Sequence, residues 1–384
     1  MIKREAKKEL LTLANQFKAI AITGPRQSGK TTLARSTFPK KPYVSLENPD
    51  MRRFALDDPR GFIANYPYGA VIDEVQRAPE LFSYLQQVLD EDNVRGKYIL
   101  TGSNNFLLQE NISQSLAGRI AYLNLLPFSY SELPGKSTIN IKELIFKGFY
   151  PPIYDQPVKP NSWYSNYIRT YIERDVRQIK NITDLNAFER FLRLCAGRTG
   201  QLLNMNSIAV ETGVDNKTIA SWIGVLESSF IIFRLHPHHR NFNKRLVKMP
   251  KIYFYDTGLV CALLGIHDHS QLDYHHLYGN LFENFVVSEI LKSRFNKALP
   301  SDLFFWRDNI GHEIDIIVEN GDELIPVEVK SGSTITDDFF KGIKYFEKVS
   351  GFSSGTVIYG GSERQARSNN IKIIPWNKLN TAGL

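Results

Sequence analysis

Gly24-Pro25-Arg26-Gln27-Ser28-Gly29-Lys30-Thr31 fits the pattern G-x-x-x-x-G-K-[ST], in which two glycines let successive backbone N–H groups turn inward around phosphate oxygens. The flanks have the required character. Upstream, Lys18 to Thr23 is a short apolar run, and downstream Thr32 to Thr37 reads as the start of a helix. Strand, glycine loop and helix thus come in the order that sets phosphates at a helix N-terminus, where its partial positive charge and Lys30 offset the β and γ oxygens. Thr31 is expected to hold Mg²⁺ through its hydroxyl. The full set of expected nucleotide contacts is Gly24, Pro25, Arg26, Gln27, Ser28, Gly29, Lys30, Thr31 and Thr32.

Working outward, Gly69 to Glu74 is an apolar strand ending in two carboxylates. A buried strand tolerates Asp and Glu only at its exit, which in an open α/β sheet is the edge where ligands bind. Asp73 is expected to bind Mg²⁺ through water and Glu74 to take the proton of an attacking water. A third strand, Lys97 to Thr101, runs into Gly102-Ser103-Asn104-Asn105, where Asn104 is placed to orient that water, although the same string also suits a plain turn. Arg119 precedes another strand-like run, Ile120 to Leu125. It is a candidate arginine finger for a neighbouring subunit's γ-phosphate, or a surface arginine.

The strings TGPRQSGKTTL (23–33), VIDEVQRAPELF (71–82), ILTGSNNFLL (99–108) and SLAGR (115–119) resemble the bacterial and archaeal AAA-type ATPases that carry a C-terminal domain of uncharacterised function. The resemblance continues through YIERDV (171–176), KIYFYDTGL (251–259) and GNLFENFVVSEI (279–290), so it spans nearly the whole chain. It implies a P-loop AAA-type core that binds ATP with Mg²⁺. It says little about substrate.

The 384 residues exceed what one hydrophobic core usually organises, and 42% apolar with 23% charged residues excludes disorder. No eighteen-residue apolar stretch or signal-type leader is present, so neither membrane partner nor secretion is expected. Cys195 and Cys261 sit in apolar contexts far apart in sequence, which suits reduced core thiols and a cytoplasmic location. Net charge is 47 minus 40, or +7. Arg234, Arg240, Lys244, Arg245, Lys248 and Lys251 lie in one stretch without Asp or Glu, so nearly all of the excess is local.

That stretch follows a helix-turn-helix pattern. Ser207 to Thr212 stops at Gly213, and Asp215 caps a second helix with Ile219, Trp222, Ile223 and Leu226 on one stripe. Asn216, Lys217 and Thr218 would face base edges, and Lys244, Arg245 and Lys248 would bind phosphates from the wing that follows. Winged helices also dock proteins, so DNA is the expected partner without being required.

In the last third, Glu313 to Val318 and Leu324 to Lys330 alternate around Asn320-Gly321, a hairpin signal that sets Glu313, Asp315, Glu328 and Lys330 on one face. Glu283 falls on the apolar stripe of a helix predicted over Leu281 to Phe295. Glu283, Asp315, Glu328 and Lys330 together resemble the E…D…ExK core of restriction-endonuclease-like folds, whose carboxylates hold Mg²⁺ for phosphodiester cleavage. An edge strand with solvated Glu and Lys would carry the same letters.

The expected fold class is therefore α/β with four parts. These are an ATPase core over 1–127, a helical lid over 128–198, a winged helix over 199–265 and a restriction-endonuclease-like α/β domain over 266–384. The expected function is Mg-ATP hydrolysis coupled to DNA binding or remodelling by a homo-oligomer. Alternatives are an ATP-controlled Mg²⁺-dependent nuclease, and a nucleotide-gated switch that holds DNA or protein without cleaving it.

Overall fold

A computed structural model describes residues 2–103, 116–172, 184–240, 242, 246–366 and 370–384. The first sheet holds β1 (Ala19–Thr23), β2 (Tyr43–Ser45), β3 (Val71–Asp73), β4 (Tyr98–Gly102) and β5 (Ile120–Asn124) in the order β2-β3-β4-β1-β5. All its pairings are parallel. A parallel sheet needs both faces covered, and β1 divides its side chains accordingly. Ile20 and Ile22 join Leu10 and Leu13 of α1 (Ala6–Gln16) and Leu33 of α2 (Lys30–Thr37). Ala19 and Ala21 face the opposite core, which includes Ala55 of α3 (Pro49–Asp57), Phe62 of α4 (Pro59–Ala64) and Leu85 and Leu89 of α5 (Leu81–Glu91).

Beyond the sheet, the described helices are short: α6 (Ile141–Lys147), α7 (Pro151–Asp155), α8 (Pro160–Tyr167) and α9 (Leu185–Ala196). Trp163 stacks on Tyr167 with ring centroids 4.9 Å apart, and both meet Tyr150. The next unit comprises β6 (Gln201–Leu202), α10 (Met205–Thr212), α11 (Asn216–Ser228), β7 (Ile232–Pro237) and β8 (Lys251–Phe254). Gly213 ends α10 in the left-handed region at φ 76°, and the Asp215 carboxylate accepts from the N–H groups of Lys217 and Thr218, as the sequence requires.

Asp256 caps α12 (Thr257–Leu263) and ties this unit to the lid segment. Its buried carboxylate accepts from Leu259 N, Phe149 N and the Tyr164 hydroxyl, the last at 2.6 Å. Then follow α13 (Tyr278–Phe295), β9 (Leu303–Arg307), β10 (Glu313–Asn320), β11 (Glu323–Lys330), α14 (Lys341–Ser350), β12 (Gly355–Tyr359), β13 (Gln365–Ala366) and β14 (Ile371–Pro375). These strands do not form a separate sheet. β7 pairs with β9 in parallel through His236↔Phe304, so one nine-stranded sheet, β13-β14-β12-β11-β10-β9-β7-β8-β6, crosses residue 265.

Two further expectations change. The hairpin turns at Gly321-Asp322, with Asn320 opposite Glu323, one residue later than Asn320-Gly321. Gly321 there takes φ +62°. Because the shift moves the pairing by two, Asp315 and Glu328 keep a common face while their register changes. The loop after β7 is also less wing-like than expected. His238 N donates to Phe305 O, Val247 N donates to Arg307 O, and Phe242 packs edge-on to Phe346 of α14 at 5.5 Å. Apolar residues within the basic stretch bind it along the sheet and α14.

Candidate functional site

The glycine loop starts where β1 ends. Gly24 holds φ +147°, and a Cβ there would lie 2.1 Å from Leu125 O, so the loop leaves the sheet through a gap only glycine fits. Gly29 adopts φ +92° at the N-terminus of α2, and Gln27 at the exposed loop tip is also left-handed, at φ 61°. Pro25 is buried and Arg26 half-buried, while Thr32 is exposed on α2. The Lys30 ammonium lies over the loop, 2.9 Å from Gly24 O and 2.7 Å from Pro25 O. The Ser28 hydroxyl is buried with no protein partner among the described residues.

Beside the loop, the Thr31 hydroxyl donates to Asp73 Oδ1 at 3.0 Å. Thr101, at the end of β4, donates to the same oxygen, and Tyr43 from β2 donates to Asp73 Oδ2 at 2.9 Å. Three hydroxyls from three elements therefore aim one carboxylate. Burial, then the Asp73 charge, push the Tyr43 hydroxyl up to about 12, so it stays a donor. Glu74 follows at φ 55°, a conformation unusual for a residue with a side chain. Its Oε2 accepts from Ser103 Oγ at 3.1 Å and from Gln76 Nε2. Hydroxyl, ammonium and two carboxylates thus converge at the carboxyl edge of a parallel sheet. Hard oxygen donors of this kind suit Mg²⁺, and the orphaned Ser28 hydroxyl and glycine-only loop suit a phosphate.

Of the remaining residues expected here, Asn104 lies outside the described residues. Arg119 stands ahead of β5, at the opposite edge of the sheet from the loop, across roughly 16 Å of strand. It pairs with Asp90 of α5 through both carboxylate oxygens. Sequence reading missed Tyr43, Thr101 and Arg4, because contacts between elements leave no spacing signal. Arg4 is buried and donates to Ser28 O at 2.6 Å, Leu126 O at 2.7 Å and Glu132 Oε1 at 3.0 Å.

A second polar cluster lies in the nine-stranded sheet. Glu283 on α13, Asp315 on β10, and Glu328 and Lys330 on β11 come together as the sequence suggested, with Lys251 and Tyr253 of β8 added. Lys251 Nζ is 2.9 Å from Glu283 Oε1 and also pairs with Glu313, while the Tyr253 hydroxyl donates to the same Glu283 oxygen. Asp315 Oδ2 accepts from Val329 N at 2.8 Å, and Lys330 Nζ is 2.6 Å from Glu328 Oε2. Burial pushes Glu283 up to about 7, with Lys251 opposing and Asp315 reinforcing. Burial and then Asp315 push Glu328 up to about 8. The carboxylates are satisfied by lysines, a phenol and a backbone N–H. Among the described residues no group of three or more His, Cys, Asp or Glu is arranged to hold a metal ion.

The residues expected to meet DNA are partly visible. Asn216 and Lys217 are exposed at the start of α11, and Thr218 is half-buried with its hydroxyl on Asp215. Lys248 is exposed; Lys244 and Arg245 lie outside the described residues. The charge excess of this stretch is smaller in space than in sequence. Arg234 forms two bonds to the Glu227 carboxylate, and Lys251 is buried between Glu283 and Glu313. Cys195 and Cys261 are both free and buried. No helix among the described residues is long and apolar enough to cross a membrane.

Residues 16–134 match the model of the AAA domain family, and 138–270 and 278–379 match two families described as domains of unknown function. An uncharacterised protein of Mycobacterium tuberculosis is 28% identical over 99% of this chain and 85% of its own length. One of Methanocaldococcus jannaschii is 22% identical over 88% of this chain and 80% of its own. Among solved structures, a Walker-type ATPase of Pyrococcus abyssi superposes with a TM-score of 0.45 at 14% identity, covering 68% of this chain and 96% of that one.

Proposed function

We propose that this chain, with its AAA-type domain, binds and hydrolyses ATP at the loop spanning Gly24 to Thr32 and uses the cycle to move the lid and the nine-stranded unit on DNA. The observation that carries the reading is the convergence of Lys30, Thr31, Asp73 and Glu74 at one sheet edge. Lys30 would leave the carbonyls of Gly24 and Pro25 for the β and γ oxygens. Thr31 and Asp73 would hold Mg²⁺, whose bound charge offsets that developing on the phosphates. Glu74, held by Ser103 and Gln76, would orient the attacking water and take its proton. Comparing ATP turnover by the full chain and its Lys30→Ala variant tests this; equal rates would end it.

DNA enters the proposal through the connectivity of α10, α11, β7 and β8, which suits a winged helix, with Asn216, Lys217 and Thr218 at the exposed helix start. Lys244, Arg245 and Lys248 would add phosphate contacts from the loop.

A second reading, an ATP-controlled Mg²⁺-dependent nuclease, is favoured by the meeting of Glu283, Asp315, Glu328 and Lys330. The Lys330–Glu328 and Lys251–Glu283 pairs already give two of these carboxylates cationic partners, which suits instead a unit that does not cut. Incubating plasmid and branched DNA with Mg²⁺ and either wild type or Asp315→Ala separates the two: cleavage by wild type alone establishes a nuclease.

A further inference from the structure

We infer that Arg4, near the start of the chain, is a positioning residue that aims the phosphate loop, an inference that rests on the nucleotide reading above. Arg4 is 8% exposed, and its guanidinium bonds three different elements. Nη1 donates to Ser28 O in the loop, Nη2 to Leu126 O just after β5, and Nε to Glu132 Oε1, while the guanidinium carbon lies 5.0 Å from the centre of the Phe128 ring. Only a planar fork satisfies three acceptors in fixed directions.

The consequence for the loop follows from peptide geometry. The bond between Ser28 and Gly29 is trans and planar, so its C=O and N–H point in opposite directions. With the Ser28 carbonyl fixed on Arg4, the Gly29 N–H is directed away from Arg4, toward the concave side of the loop where phosphate oxygens would lie. A left-handed glycine has several low-energy orientations, and an anchored carbonyl selects one of them. A Cβ added at Gly29 would stand 3.5 Å from Arg4 Nη1, so the guanidinium lies beside this glycine.

Glu132 makes the anchor rigid. Its Oε1 also accepts from Glu5 N at 2.7 Å, and its Oε2 accepts from Ser129 N at 2.9 Å. The adjacent Tyr130 N donates to Glu289 of α13 at 2.8 Å. The loop is thereby braced, through Arg4 and Glu132, against the helix that also carries Glu283.

Such bracing acts alike on bound ATP and on the transition state, since both present the same phosphate oxygens to Gly29. Its loss should raise KM and leave kcat nearly unchanged. Arg4→Lys keeps a cation for Glu132, but its compact ammonium cannot span the three separated acceptors that the fork holds, and it avoids the uncompensated buried carboxylate of Arg4→Ala. The experiment is steady-state ATP hydrolysis by full-length wild type, Arg4→Lys, Arg4→Ala and Lys30→Ala, with folding followed by circular dichroism. The expected result is a KM about tenfold higher in Arg4→Lys, as for loss of a charge-assisted hydrogen bond, with kcat within about twofold. An unchanged KM in folded Arg4→Lys, with or without a lower kcat, overturns the inference. Failure of the underlying reading looks different: wild type would then turn over ATP no faster than Lys30→Ala.

Discussion

Single residues carry the chemistry through partners supplied by other elements. Glu74 is the clearest case, because its left-handed backbone turns the carboxylate onto Ser103 and Gln76. Glu74→Gln keeps the volume and one acceptor but cannot take a proton. It should bind ATP as wild type does and hydrolyse it about 100-fold or more slowly, measured by nucleotide titration and phosphate release. Retained turnover would remove Glu74 from the mechanism.

Glu283 and Glu328 make a prediction about pH. Both carboxyls are raised in the folded chain, to about 7 and about 8, from an ordinary value of 4.5. The folded state therefore holds protons that the unfolded state has released, and stability falls as pH rises from about 5 through 8. The contribution is fully present below the unfolded value and lost above the folded one. Denaturant midpoints at several pH values should decline over that window for wild type and less steeply for Glu328→Gln. A flat wild-type profile would contradict the burial argument.

At the scale of elements, close approach decides what the sequence leaves loose. Gly342 lies in the first turn of α14, where a Cβ would come 1.9 Å from Glu328 Oε1 and 2.8 Å from Glu313 O. Gly342→Ala must displace the helix from the strand pair, at a cost of about 1–3 kcal/mol. A lowered thermal midpoint with ATP hydrolysis intact is expected, since α14 belongs to the second sheet. His238, on the strap after β7, is held down to about 4 by burial first and then by His239 and Arg240. A depressed base works in the opposite sense to the two glutamates. It favours unfolding as pH falls below about 6.5, so the strap should loosen in acid, seen as lower amide protection factors in β9 relative to the intrinsic rate at each pH. Unchanged protection factors down to pH 5 would deny the strap that role.

For the whole molecule, the arginine at the far edge of the first sheet and the basic loop bear on assembly and partner. Arg119 cannot reach its own loop across the sheet, and it is engaged with Asp90. If it serves a neighbouring subunit, Arg119→Ala should still bind ATP yet lose hydrolysis, and wild-type turnover per chain should rise with protein concentration. Loss of both binding and hydrolysis would indicate a folding role instead. Replacing Lys244, Arg245 and Lys248 together should weaken duplex DNA binding and flatten its log–log salt dependence by about 0.9 for each phosphate no longer neutralised. ATP hydrolysis without DNA should be unaffected.

The sequence by itself determined the parallel sheet of the N-terminal part, the glycine loop with its acidic strand end, the caps of α10 and α11 and the common face of Asp315 and Glu328. Each of these is written in local periodicity, in a glycine or capping residue, or in the two-residue alternation of a strand, which survives a register shift. Tertiary structure alone decided that Tyr43 and Thr101 aim Asp73, that Arg4 holds Ser28, and that Lys251 of β8 pairs with Glu283 of α13. It also joined β7 to β9, making one nine-stranded sheet of two expected domains, and turned part of a basic stretch inward. These pairings join residues from 24 positions apart, for Arg4 and Ser28, to 68, for His236 and Phe304, and no spacing rule reaches that far. They are set by which buried charge finds which partner once the apolar faces have closed, because a buried charge without a partner costs more than any local preference along the chain can offset.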